Sequence, residues 1–598
     1  MHENRYHRES RQRQMPRLRF PDLRETCENF VDWASPFLNG TELAETDRLV
    51  RDFLSPSGQG EALQRTLRET LEEDPSFVEH IPYWNKWYLA QDAPLGLETN
   101  PYYLLDLEPS DPLKRAAELT SSALSFCLSI ADGTIEPDVH NGQALCMKQY
   151  SSIFGAVRIP RKGPDSFVSH TAGKSREGLP RHVVVLRGGK IFSLQVLDDN
   201  GQPYGTEALE EAFRSIATVR RNPSIHAGVL TTRPRHEWAR VREELIRAHK
   251  NNEEALGIIE KALFAICLDD GAPADDSEAG LLLLSGNNRW YDKSLQVIVF
   301  RNGQAGINFE HSHLDGLPMT RLARYLARKE TTGEALTRQK PAFCEVPLAL
   351  TTKLRERIEK ADRLLEKRVS QLGTRRLELP VGKKDIKQCG ISPDAFVQLA
   401  LLLACRRHRG RWVSTSEAVM LRLFEGGRTG VMRTLTSEAL AFFTLLESPS
   451  TPRPVRAEAL RKASSAHARR IDLCLKGRGP EEHLHALLAA SLHVDGMNEN
   501  LPRLFTGVAW SRLQETFVAT STTPPEGLRL AGYGPLSGEG LGGRYMKTDP
   551  HILFNLSFWR ESAFEPDGLA EKLCTCAEEM ISVFETEKTE DAQRWGNR

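Results

Sequence analysis

The sequence contains no apolar run approaching the roughly 18 residues that a membrane-spanning helix needs. Its longest candidates, Leu399 to Cys405 and Leu281 to Leu284, read as pieces of a folded core. It also lacks an excess of charge of either sign. The formal net charge is −1, which removes the usual electrostatic case for a nucleic-acid or membrane-surface partner. An ordered set of cysteine pairs is missing too. Ten cysteines are scattered, and the single close pair, Cys574 and Cys576, has a one-residue gap that suits neither zinc ligands nor a redox pair. Reduced, mostly buried thiols are expected. What remains is ordinary: 598 residues, 40% apolar and 27% charged, enough for two or more domains with full cores. The expectation is a soluble, cytoplasmic protein. Residues 1–15 are rich in arginine, but a mitochondrial leader avoids acids and Glu3 and Glu9 stand here. A disordered leader is expected, with a mitochondrial address as the alternative.

Strand-like and helical runs alternate, which favours a layered α/β architecture. HVVVL (182–186) and IFSLQV (191–196) flank Arg187-Gly-Gly-Lys190, a hairpin signal. LQVIVF (295–300), Arg301-Asn-Gly303 and Gly306 to Glu310 repeat it. Helical periodicity follows at Leu317 to Lys329, and a long polar helix is expected from Leu350 to Leu372.

Between the second hairpin and its helix lies EHSHLDG, residues 310–316. Strand-to-helix junctions commonly carry catalytic side chains on a rigid frame. Three readings compete. On a strand, His311 and His313 would share a face and, with a carboxylate, bind a divalent ion; no later histidine cluster offers a further ligand. One histidine could be a general base, since its ordinary pKa lies near neutrality. Or the run is a plain turn with a solvated histidine.

Other stretches weigh on the choice. They are RLRFPDLRETCENFVDW (17–33), ALCMKQYSSIFGAVRIP (144–160), LTTRPRHEWARVREEL (230–245) and GNNRWYDKSLQ (286–296). After EHSHLDG come SPDAFVQLAL (392–401), LRLFEGGRTGVMR (421–433), GYGPLSGEGLGGRY (532–545) and ILFNLS (552–557). In this order, over most of the chain, they resemble the carnitine/choline acyltransferase family. The resemblance implies two chloramphenicol-acetyltransferase-like α/β halves with mixed sheets and an active-site tunnel between them. It implies a helical segment over 16–75 packing with the C-terminal half. An N-terminal half at 76–349 would carry the base, a C-terminal half at 350–587 would bind coenzyme A, and a tail would span 588–598.

The resemblance also implies roles. His311 matches the base that takes the proton of an acceptor hydroxyl, which attacks the thioester of acyl-CoA directly. Asp315 stands where most of the family has Glu, and would pair with Arg428. Thr520, Ser521 and Thr522 fall on a family Ser-Thr-Ser run, with Thr522, supported by Ser521, as oxyanion donor and Thr520 toward the substrate. Lys383 and Lys387 match lysines near the coenzyme's 3′-phosphate, and Asp394 a residue near the pantetheine or adenine end. Without those matches, these would be a Thr/Ser turn and a solvated basic loop. No metal is required, the partners are small molecules, and a monomer is expected.

The pockets depart from the family. Carnitine users carry an arginine before a His-Leu pair; here Glu482 holds that position, and an anion there would repel carnitine's carboxylate and favour a cationic or hydroxyl-rich acceptor. Ser416 replaces a usual tyrosine, whereas Thr429 is kept. In the acyl pocket, Ala531 or Gly532 falls where acetyl-specific members place a bulky methionine, so medium-chain or longer groups are expected, each buried CH₂ contributing roughly 0.8 kcal/mol. The expected activity is CoA-dependent O-acyl transfer to a small alcohol. The rivals are a non-catalytic acyl-CoA-binding protein and a condensation-type acyltransferase acting on a carrier-bound chain.

Overall fold

The computed structural model describes residues 15–220, 225–330, 337, 339–492, 501–536, 538–561 and 566–584. Nearly all of the expected leader and the whole of the expected tail lie outside them. The chain forms two mixed sheets with helices packed on them. The order of the first is Phe343–Glu345, Lys190–Gln195, His182–Arg187, Ala265–Leu268, Leu295–Val299, Ala305–Phe309, Tyr102–Leu105 and Leu528–Gly532. The second runs Leu372–Leu379, Ile552–Trp559, Leu541–Lys547, Val518–Thr522, Thr415–Met420 and Thr429–Arg433.

Local chemistry explains the elements. Val183 to Leu186 and Leu295 to Val299 are buried throughout, as continuous apolar strands covered on both faces must be. Gly188 and Gly189 both take positive φ, at 53° and 79°, the backbone that a tight two-residue hairpin demands. The second hairpin pairs Ala305 with Val299 through to Phe309 with Leu295. Gly303 takes φ 80° at its turn, and a Cβ there would strike the Ser110 carbonyl. The catalytic candidate therefore leaves the end of a strand fixed on both sides.

The cores do not follow a division at residue 350. The helix Thr352–Gln371 buries Leu354, Ile358, Ala361 and Leu365 in the first core. Leu528, Leu530 and Ala531 also belong to that core, because the strand Leu528–Gly532 pairs antiparallel with Tyr102–Leu105. The C-terminal half thus donates a strand to the N-terminal sheet. A third cluster packs the helices Leu23–Ala34, Gly40–Leu54 and Gly60–Glu73 against Pro480–Ser491 and Val508–Gln514. All ten cysteines are free and eight are buried. Among the described residues, no helix is long and apolar enough to cross a membrane.

Candidate active site

The strand Ala305–Phe309 stops, and the helix Gly316–Ala327 starts after a six-residue turn holding His311. Glu310 anchors the turn. Its carboxylate accepts from the Ser312 N–H at 3.0 Å and the Ser312 hydroxyl at 2.6 Å. His311 Nδ1 makes a close contact with the Leu314 carbonyl oxygen. A carbonyl can only accept, so Nδ1 carries the proton and Nε2 keeps its lone pair. The ring lies 5.3 Å from Tyr88 and 6.2 Å from Phe309. Burial pushes the imidazole below its ordinary pKa, against the pull of the Asp315 carboxylate. The ring is therefore neutral near pH 7, the state a base requires.

Asp315 is the N-cap of the next helix, yet its side chain makes no cap hydrogen bond. The carboxylate is taken by Arg428 instead. Arg428 Nε donates to Oδ2 and Nη2 to Oδ1, both at 3.0 Å, a bidentate pair despite the short Asp side chain. Arg428 also donates to the carbonyls of His311 and Ser312 and to Asn85 Oδ1. Gln149 closes the frame: Nε2 donates to Asp315 Oδ2 at 2.7 Å, and Oε1 accepts from the Asp315 N–H at 2.8 Å. Asp315 Oδ1 lies 4.0 Å from His311 Nδ1. Buried as it is, the Asp315 carboxyl is held below the usual range by Arg428.

His313 turns away from any such site. It stacks on Phe167 at 3.6 Å, and burial pushes its pKa down to about 3. His311, His313 and Asp315 do not converge on one point. Among the described residues, the only metal-type grouping of three is Asp394, Glu417 and His467. There the two carboxylates raise His467 to about 9, and Lys547 contacts Asp394. Burial and the neighbouring Asp394 push the Glu417 carboxyl up, and the Tyr545 hydroxyl reaches both carboxyl groups.

The strand Val518–Thr522 separates its three hydroxyls. Thr520 donates to the Ser416 carbonyl at 2.8 Å and accepts from Gln398 Nε2 at 2.9 Å. The expectation that Thr520 meets substrate is corrected: its hydroxyl is spent inside the fold. No protein partner engages the Ser521 or Thr522 hydroxyl among the described contacts. Register sets Ser521 beside Arg544 and Thr522 beside Tyr545, so the two point to opposite faces of the sheet.

The acceptor residues differ from expectation. Glu482 Oε1 accepts from the Val431 N–H at 2.7 Å, and burial raises its carboxyl to about 7. It is a backbone-bound carboxyl drawn toward its neutral form, not the bare anion expected to repel carnitine. The Thr429 hydroxyl donates to Asp315 Oδ1 at 3.2 Å. Ser416 is buried opposite Arg433.

The opening expected at Gly532 is absent. A Cβ there would collide with Asn555 Nδ2 and the Tyr102 hydroxyl, and Asn555 donates to Tyr102 Oη at 2.7 Å. Ala531 is buried opposite Tyr103. Near the expected coenzyme end, Lys383 pairs with Asp549 at 3.2 Å, while Lys387 is exposed. Asp394 is tied to Tyr545 at 2.9 Å and to Lys547. Three residues in contact with these side chains escaped the sequence reading: Gln149, Glu417 and Arg544. Gln149 lies within the stretch 144–160, whose order alone carried weight there.

The family model for choline/carnitine O-acyltransferases matches residues 18–575. Carnitine O-acetyltransferase of Columba livia is 30% identical over 578 residues, covering 92% of this chain and 90% of that protein. Choline O-acetyltransferase of Danio rerio is also 30% identical, over 96% of this chain and 94% of its own. Mitochondrial carnitine O-palmitoyltransferase 2 of Xenopus tropicalis is 26% identical over 92% and 89%.

Proposed function

Because the chain belongs to the choline/carnitine O-acyltransferase family, whose members move acyl groups with coenzyme A thioesters as substrate, we propose that His311 is its general base. The observation that carries this reading is the tautomer lock. With Nδ1–H given to the Leu314 carbonyl, Nε2 is free to take the proton of an acceptor hydroxyl. The alkoxide oxygen then attacks the thioester carbonyl and forms the C–O bond. A hydroxyl donor steadies the tetrahedral oxyanion, and Thr522 or Ser521 supplies it, since Thr520 is engaged elsewhere. Collapse breaks the C–S bond, and the CoA thiolate recovers the proton from His311. Asp315 and Arg428 hold the turn, and Lys383, Lys387 and Asp394 line the coenzyme's approach.

The acceptor is a small alcohol. A Glu482 carboxyl bound to Val431 N–H neither repels a carboxylate strongly nor holds a cation, so carnitine and choline both remain substrates to test. The case for medium or longer acyl chains loses the Gly532 opening, which Tyr102 and Asn555 fill. A non-catalytic acyl-CoA binder would have no use for a locked base clasped by Arg428. The test is free-thiol release from octanoyl-CoA and acetyl-CoA with L-carnitine, choline or no acceptor. Acceptor-dependent release is expected, and His311→Ala should lower it by on the order of a thousandfold or more while the fold is kept. Undiminished release in that variant overturns the mechanism.

A further inference from the structure

Nine arginines are buried among the described residues. Eight of them have a carboxylate partner: Arg115, Arg158, Arg235, Arg289, Arg422, Arg428, Arg433 and Arg470. The ninth, Arg544, is 7% exposed and forms no ion pair with any described residue. Its Nε donates to the Thr523 hydroxyl, and its Nη2 to the Tyr103 hydroxyl at 2.9 Å. The guanidinium carbon lies 5.5 Å from the Tyr103 ring and 5.9 Å from the Tyr533 ring. Neutral acceptors and ring faces soften the cost of burying a charge, but they do not cancel the charge. Nη1 donates to nothing among the described residues, and it is not fully enclosed. It therefore faces open space.

The guanidinium lies beside the reacting centre. A Cβ on Gly316, the residue after Asp315, would lie 2.8 Å from Arg544 Nη2. The Tyr103 hydroxyl that receives Nη2 donates to the Gly316 carbonyl at 3.0 Å. The Tyr103 ring in turn lies 5.5 Å from Phe309, the neighbour of the His311 ring. Arg544 also pairs in register with Ser521. Ala531 pairs with Tyr103 and so points to the same face of its sheet. The small residue expected to open the acyl pocket and the buried cation thus border one region. The acceptor-side residues Thr429 and Glu482 belong to a different group around Asp315 and Val431.

We propose that Arg544 is a specificity-determining residue whose unpaired guanidinium receives an anionic group at the far end of the acyl chain, so that the protein prefers acyl-CoA thioesters ending in a carboxylate over neutral ones. This rests on the acyltransferase reading of the same site. A planar guanidinium with a free edge matches a carboxylate in two-point geometry. A substrate carboxylate would be the missing partner of the only buried arginine among the described residues that has none.

The experiment measures binding of free CoA, glutaryl-CoA and pentanoyl-CoA to the wild-type chain by calorimetry, and thiol release from both thioesters with L-carnitine or choline. Glutaryl-CoA is expected to bind roughly tenfold or more tightly than pentanoyl-CoA, since hydrogen bonds to a charged group are the stronger kind. Arg544→Met should abolish or invert that preference with CoA affinity kept, and Arg544→Lys should restore part of it. Equal affinities in the wild type overturn the proposal even if Arg544→Met fails to fold. A preference unchanged in Arg544→Met overturns it as well. Carnitine-dependent release from pentanoyl-CoA that disappears in Arg544→Met would put the anion on the acceptor, and would also overturn it. Failure of free CoA to bind the wild type would instead remove the acyltransferase reading beneath it.

Discussion

Arg428 holds the reactive turn at several points. Its guanidinium reaches both oxygens of Asp315 and the carbonyls of His311 and Ser312, so one side chain fixes the ends and middle of the turn. Asp315 has two effects that can be separated. It is the counter-charge of a fully buried arginine, and its anion raises the His311 pKa against burial. Asp315→Asn keeps the volume and removes the charge. Leaving Arg428 without its anion should cost about 3–5 kcal/mol of stability, read from urea unfolding. The acid limb of kcat/KM should move to lower pH, because a histidine without that anion is harder to protonate. A purely structural role would reproduce the first effect and leave the limb unmoved. The motif EHSHLDG was legible as a junction of strand and helix, since it follows an Asn-Gly turn. The clasp on it depended on residues as far apart as Gln149 and Arg428, whose meeting no local pattern encodes.

At the scale of elements, the strand Thr429–Arg433 and the helix Pro480–Ser491 are joined by two adjacent carboxylates with different fates. Glu481 binds Arg433 through both oxygens, whereas Glu482 meets only the Val431 N–H from that strand. The sequence displays Glu482 as a charge replacing a charge of opposite sign. It cannot display the backbone N–H that absorbs it, which weakens an acceptor argument made from charge alone. The consequence is measurable. Burial raises the Glu482 carboxyl from 4.5 to about 7, so between these values the folded chain binds a proton that the unfolded chain has lost. Stability then falls as pH rises through this window, by about 3 kcal/mol in all. Glu482→Gln keeps an oxygen for Val431 and does not titrate. The variant should lose less stability than the wild type between pH 5 and pH 8 in urea unfolding. Parallel curves would mean that the carboxyl is ionised throughout.

At the scale of the molecule, the two halves share more than a boundary. Alternating patterns and turn glycines made the sheets' hairpins readable, because register within a hairpin is a local matter. The pairing of Leu528–Gly532 with Tyr102–Leu105 spans most of the chain and left no local trace; RLAGYGP read as pocket lining. Asn555 of the second sheet then bonds the Tyr102 hydroxyl and the Ala531 carbonyl, which fastens the donated strand from the other side. The N-terminal helices add a further tie, since they pack on the C-terminal helices Pro480–Ser491 and Val508–Gln514. Chains of this size commonly unfold domain by domain. Here the donated strand gives each half part of the other's core, so unfolding one exposes apolar surface of both. Leu530, fully buried in the first core, tests this coupling. Leu530→Ala should cost about 2–5 kcal/mol and lower a single calorimetric transition without splitting it. Two resolved transitions, with only one shifted, would mean that the halves fold independently despite the shared strand.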